Sequence, residues 1–275
     1  MRITRPAERF SRRSEVLRRD GFTLLELSAV IFIIVVLVSL LSAALNHTKS
    51  KALRISCLDN MKQLQQAWWM YAAENEDSLP LNQTSPEPPD ARYPDVQLSK
   101  NSWVAGNPRQ DVTTENITRG TLYQHVGSTA TYRCPMDSSS VNLHPEIPRT
   151  RSYSMSSYLG GDPVYNPKFK YSEISRPDTV FVFIEEHESS RWDSSFFVQP
   201  PRKPTAVSAA SSAGWLSIPS DRHEQGCNIS FADGHFEYWR WLAPKEPSDP
   251  GMHATSTPSG LPQARDFMRL QSCLP

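Results

Sequence analysis

The 275-residue chain carries 29 basic and 29 acidic side chains, and 38% of its residues are hydrophobic. A formal charge of zero removes the electrostatic footprint of a nucleic-acid binder. Removal of a leader and one membrane helix would leave about 200 residues, enough for one domain core.

The charge is unevenly placed. Residues 1–21 hold Arg2, Arg5, Arg9, Arg12, Arg13, Arg18 and Arg19 against Glu8, Glu15 and Asp20. This basic block directly precedes an apolar run, Phe22 to Leu45, with one ionisable residue, Glu26. As a helix rising about 1.5 Å per residue, the run spans roughly 36 Å, enough for a bilayer core of about 30 Å. The positive-inside rule keeps the arginines cytoplasmic and sends the remainder outward. A secretory signal peptide is the rival reading, with Ser42-Ala43-Ala44 mimicking its cleavage site. The run is longer than the apolar stretch of about 7–15 residues that such peptides use. Beyond the membrane, Cys57, Cys134, Cys227 and Cys273 are disulfide candidates in any of three pairings. Free buried thiols are the alternative, and none has C-x2-C zinc spacing.

Neither glycine nor proline occurs between Gly21 and Pro80, in a chain with 23 prolines. Proline breaks helices and glycine weakens them, so the spacing predicts one helix across 22–79. Residues 22–45 form its membrane part. Residues 46–79 form an amphipathic part, with Leu58, Met61, Leu64, Trp68 and Tyr71 recurring at three- and four-residue steps beside Cys57, Ala67 and Ala72. That stripe requires a partner surface.

Residues 80–243 read as an outer domain. Up to about 170 they are loops with short strands near Trp103, Leu122 and Tyr132. The segment 179–185, TVFVFIE, reads as a strand covered on both faces, and 195–198 as another. Asp233-Gly234 suits a two-residue type I′ hairpin turn. That register pairs Ala232 with His235, Phe231 with Phe236, Ser230 with Glu237 and Ile229 with Tyr238. One face, Ile229, Phe231, Phe236 and Tyr238, then lies on the helix, and the other meets solvent. Residues 244–275 read as a flexible tail, with a short helix at 263–275 carrying Met268 and Leu270. The fold class is α+β: a long N-terminal helix packed on an antiparallel C-terminal sheet.

Two motif sets carry a family resemblance. Residues 21–26, GFTLLE, resemble the start of a type IV prepilin. The resemblance implies cleavage after Gly21 by a prepilin peptidase and N-methylation of Phe22. Glu26, fifth residue of the mature chain, would pair with the new amine of its own or a neighbouring subunit. His223, nine residues and Asp233-Gly234 resemble the prepilin-type H-X9-DG domain of pseudopilin-like proteins. Three further stretches resemble that family: CLDNMKQ from Cys57, its C-x-x-N-x-K-Q helix; YRCPMD around Cys134, its cysteine-proline-x-aspartate loop; and SRPDTVFVFIEE, its strand before an acidic end. The resemblance implies a pilin-like fold and a non-enzymatic structural subunit. It would sit in a bacterial inner membrane and assemble through its N-terminal helix with other subunits of a type II secretion pseudopilus or type IV pilus-like filament.

Candidates for chemistry are few. Asp233 is demanded by its turn, and His223 reads as bonded to a backbone group or carboxylate near the hairpin entry. His187, His223, Asp233 and His235, with Glu185 and Glu186 nearby in sequence, could in principle ligate a transition metal, but they lack the H-E-x-x-H form that makes such a site specific. No cofactor is expected. Type II secretion pseudopilins, which the chain resembles in outline, can hold calcium near the C-terminal sheet. Asp221 and Asp233 are the weak candidate donors for it, without an EF-hand loop. No G-x-S-x-G, P-loop or G-x-G-x-x-G occurs, and Ser156 and Ser157 lack a flanking hydrolase signature. An alternative reading is a membrane-anchored carbohydrate-binding protein, using tryptophans such as Trp239 and Trp241.

Overall fold

A computed structural model describes residues 23–82, 102–161, 166–190, 193–200, 215–245 and 260–275. Gly21 and Phe22 lie outside these. The chain divides into two units, Met1–Thr48 and Lys49–Pro275. Helix α1, Leu24–Glu74, begins in the first and ends in the second.

In the first unit, Leu24–Leu41 is long and apolar enough to cross a membrane, a test that an N-terminal signal sequence also passes. Its apolar side chains are exposed, Leu24, Phe32, Val35 and Leu40 among them. The helix opens with a capping box. Glu26 N donates to Thr23 Oγ1 (3.2 Å), and Glu26 Oε2 accepts from Thr23 N (2.9 Å) and Thr23 Oγ1 (2.9 Å). Two amide groups that the first turn leaves unpaired are thereby satisfied.

In the second unit, Cys57, Met61, Leu64, Ala67, Trp68 and Ala72 of α1 are buried at the spacing of one helix face. The helix stops before the expected residue 79. Glu76 and Asp77 turn left-handed (φ 52° and 69°), and Asp77 N reaches back to Ala72 O (3.0 Å). The apolar islands near Trp103, Leu122 and Tyr132 are buried but are not strands. Short helices α2, Glu115–Thr118, and α3, Tyr123–Val126, and a 3-10 turn, Thr129–Tyr132, hold this region. A two-stranded hairpin follows, β1, Ser140–Val141, and β2, His144–Pro148.

The main sheet has five strands: β3, Tyr153–Ser156; β4, Phe181–Glu185; β5, Ser195–Phe196; β6, Gly226–Phe231; and β7, Phe236–Arg240. Their order is β5-β3-β4-β6-β7. The sheet is mixed rather than wholly antiparallel, because β5 runs parallel to β3.

The sheet lies between two apolar layers. Toward α1 it contributes Tyr153, Met155, Val182 and Phe183; Phe181, Ile184, Cys227, Ile229, Phe231 and Trp239 face the other layer. There helix α4, Gly260–Gln271, supplies Phe267 and Leu270. So part of the expected flexible tail is a packed helix, and Met268, unlike Leu270, is exposed. Asp266 of α4 is buried against Lys245 Nζ (2.6 Å), tying this helix to the chain beyond β7.

The hairpin register differs from expectation by one residue. Ser230 pairs with Phe236, Ile229 with Glu237 and Asn228 with Tyr238. Gly234 N bonds Phe231 O (2.9 Å), Phe231 N bonds His235 O (3.0 Å), and only Gly234 of the loop has positive φ, at 93°. This is a three-residue loop, a type I turn closed by a left-handed glycine, not type I′. The slip moves Phe236 and Tyr238 onto the face of Ser230 and Asn228. Ile229 and Phe231 turn toward α4, so the second face is covered rather than solvated.

Candidate functional site

Four buried side chains, one of α1 and three from distant segments, meet at the buried face of that helix. The ligating atoms of Cys57, Cys134, Glu185 and His223 all lie within 4.8 Å of one another. Among the described residues no other group of three or more His, Cys, Asp or Glu side chains converges this way.

Each is placed by local structure. Cys57 lies on the buried face of α1. One turn on, Asn60 Nδ2 donates to Arg133 O (3.0 Å), and Gln63 Oε1 accepts from Thr131 Oγ1 (3.1 Å). The two amides hold the loop that presents Cys134. Its tight turn is closed by Asp137 N to Cys134 O (2.9 Å), and Cys134 N donates to Ser152 Oγ (2.9 Å), itself bonded to Asp137 Oδ2 (2.6 Å).

Glu185 reaches the α1 face because β4 is irregular. The β4–β6 register shifts between Phe181 and Ile184, so Val182 and Phe183 both face α1 while Phe181 and Ile184 face α4. Strict alternation from Phe181 would have sent Glu185 to the α4 side. The irregularity re-aims it, a recognised use of a β-bulge. Ser230 Oγ satisfies the Phe183 amide there (2.9 Å). His223 precedes β6 in a turn whose Glu224 and Gln225 have positive φ (54° and 62°), and Tyr238 Oη donates to His223 O. Gly226 completes the turn, since a Cβ there would lie 2.3 Å from Trp239 O.

The contacts within the cluster are unusual. His223 Nε2 lies 3.4 Å from Cys134 Sγ and 3.1 Å from Glu185 Oε2. Glu185 Oε1 accepts from Asn228 N (3.0 Å) and Asn228 Nδ2 (3.3 Å). Glu185 Oε2 has no aligned donor, and His223 Nδ1 has no partner, although both are buried. Tyr153 Oη donates toward Cys57 Sγ (3.2 Å). A nucleophilic triad would place its carboxylate on the imidazole nitrogen away from the thiol. Thiol and carboxylate converge on the same nitrogen instead.

Charge in the cluster is strongly coupled. Burial alone lowers the His223 pKa, but Cys134 and Glu185 outweigh it and raise it to about 9. Burial pushes Glu185 up, and His223 and Arg222 bring it below the ordinary carboxylate range. Hydrogen bonding from Cys57, then from His223, lowers Cys134 despite its burial. Cys57 is raised well above a normal thiol by burial and then by Cys134. Next to His223, the Arg222 guanidinium lies 3.6 Å from Asp137 and 3.0 Å from Glu188, and its Nη2 donates to Glu186 O (2.9 Å).

The remaining sequence candidates are elsewhere. Cys227 and Cys273 are buried free thiols in the α4-side layer, and no cysteine is disulfide-bonded. Asp221 Oδ2 accepts from Lys245 N (3.0 Å), and Asp233 Oδ1 from His235 N (3.1 Å); neither joins the cluster. His235 stacks on Phe231, His187 bonds Ser189 Oγ (2.7 Å), and Glu186 accepts from Ser154 and Ser190. Trp68, Trp103, Trp215, Trp239 and Trp241 are buried, so these tryptophans offer no exposed strip to a sugar. Gly234 sits on the Trp69 ring of α1, where a Cβ would come within 1.8 Å of Cη2, and Trp69 Nε1 donates to Ala232 O (3.1 Å).

In the sequence, Glu185 and His223 stand among the metal-ligand candidates, whereas Cys57 and Cys134 stand apart as disulfide candidates. The available signal is that four of the five family-like stretches, all but GFTLLE, contribute one member each. Comparison with protein-family models, with curated proteins and with solved structures finds no match.

Proposed function

We propose that the chain is a prepilin-type structural subunit, cleaved after Gly21 and assembled through α1 into a pseudopilus or pilus-like filament. The observation that carries this reading is the GFTLLE segment leading directly into Leu24–Leu41, whose apolar side chains are exposed on every side. Such a surface requires cover, first from lipid and then from neighbouring helices in a filament core. The α+β arrangement of the second unit is compatible with a pilin-like subunit. Its partners would be a prepilin peptidase, the inner membrane and other subunits.

Glu26 carries the test. Its capping box holds the helix start, and a glutamine fills the same box without the charge. If the carboxylate pairs with the amine of a neighbour, Glu26→Gln and Glu26→Ala both abolish crosslinking between α1 helices in cells. Crosslinking that survives in Glu26→Gln and fails only in Glu26→Ala assigns Glu26 to capping alone. Crosslinking intact in both variants removes Glu26 from assembly.

A further inference from the structure

We propose that Cys57, Cys134, Glu185 and His223 form a closed, four-coordinate site for a zinc-class divalent metal. The proposal rests on these side chains and holds whether or not α1 assembles into a filament.

The donor set selects the metal. Two thiols, an imidazole and one carboxylate are the ligands of zinc and similar borderline-soft ions. Calcium takes about 6–8 oxygen ligands, which this cluster does not supply. The spacing fits as well. Tetrahedral zinc, with bonds of about 2.3 Å to sulfur and about 2.0–2.1 Å to nitrogen or oxygen, separates sulfur from nitrogen by about 3.5 Å and nitrogen from oxygen by about 3.3 Å. The observed separations are 3.4 Å and 3.1 Å.

A further observation points to an occupant. Glu185 Oε2 is buried and faces His223 Nε2 without an aligned hydrogen bond. Folded chains rarely leave a buried acceptor without an aligned donor, and a cation among the four atoms would supply that partner. Asn228 on Glu185 Oε1, with Asn60 and Gln63 on the Cys134 loop, forms the outer layer that orients the ligands.

The role this geometry fits is structural. All four ligands are buried and leave no open position for a substrate. The ion would join α1, the Cys134 loop, β4 and the turn before β6, segments far apart in the chain, and so bind part of the folding free energy to metal.

The test uses full-length protein purified in detergent without chelator. Elemental analysis should find about one zinc per chain. After chelation, cobalt(II) should restore the thiolate charge-transfer band and the intense visible bands of tetrahedral cobalt. Cys134→Ser and His223→Ala should lose them, whereas Cys227→Ser, equally buried but outside the cluster, should keep them. Because ligand variants can misfold, the decisive arm is the wild-type chain. There metal should protect Cys57 and Cys134 from alkylation, and chelator should expose them. A wild-type chain with neither bound metal nor cobalt bands overturns the proposal. So does a Cys57–Cys134 disulfide in the unreduced peptide map.

Discussion

Gly234 shows how one residue serves both the turn and the helix. Its φ of 93° is open to glycine at little cost, and its missing side chain leaves room for the Trp69 ring. Gly234→Ala should therefore lower stability by about 1–3 kcal/mol from backbone strain, and further by displacing the ring. In a domain of this size that is a fall in melting temperature of several degrees, on the order of 2–4 °C per kcal/mol. Adding Trp69→Ala should recover the steric part only, a coupling that a double-mutant cycle reads directly. An alanine variant that melts with the parent would refute the three-residue loop. Asp233 is bonded to its own turn through His235 N, with its backbone amide on Pro177 O (3.0 Å), which accounts for it without a metal.

At the scale of elements, the hairpin is a clamp on α1. Its entry carries His223, which meets Cys57, and its turn carries Ala232 and Gly234, which meet Trp69. Cys57 and Trp69 are twelve residues apart, about 18 Å along a helix, and the six residues of β6 extend about 20 Å. The nine residues between His223 and Asp233 match the distance between two anchors on one helix. The opposite face depends on α4. Phe267 packs edge-on to Trp215 (ring centroids 4.9 Å apart) and is buried. Phe267→Ala should cost about 3–5 kcal/mol, measured by denaturant unfolding. A variant as stable as the parent would show that α4 does not hold the sheet.

Several of these features were legible in the sequence for physical reasons. The long helix followed from a stretch without glycine or proline, its buried face from three- and four-residue spacing, and β4 from its unbroken apolar run. The hairpin itself was legible but its register was not. Asp-Gly serves both a two-residue turn and the closing half of a three-residue one, and the observed loop is contacted by Pro177 and Trp69, which are remote in sequence. The cluster was hidden for a related reason. Its members stand at 57, 134, 185 and 223 with no fixed spacing, and Glu185 arrives only through an irregularity in β4.

At the scale of the whole molecule, one unit offers an exposed apolar helix, and the other a mixed α+β domain with a buried four-ligand cluster. In the proposed subunit, the first unit would serve membrane insertion and assembly, while the cluster would fix the second unit to its segment of α1. Prepilin-type processing is read from the mass of the mature N-terminal peptide. In cells with an active prepilin peptidase, the chain should begin at N-methyl-Phe22. A terminus beyond Ala44 would make the apolar helix a cleaved signal sequence, and an intact Met1 terminus would show that no processing occurs; either result contradicts prepilin-type processing.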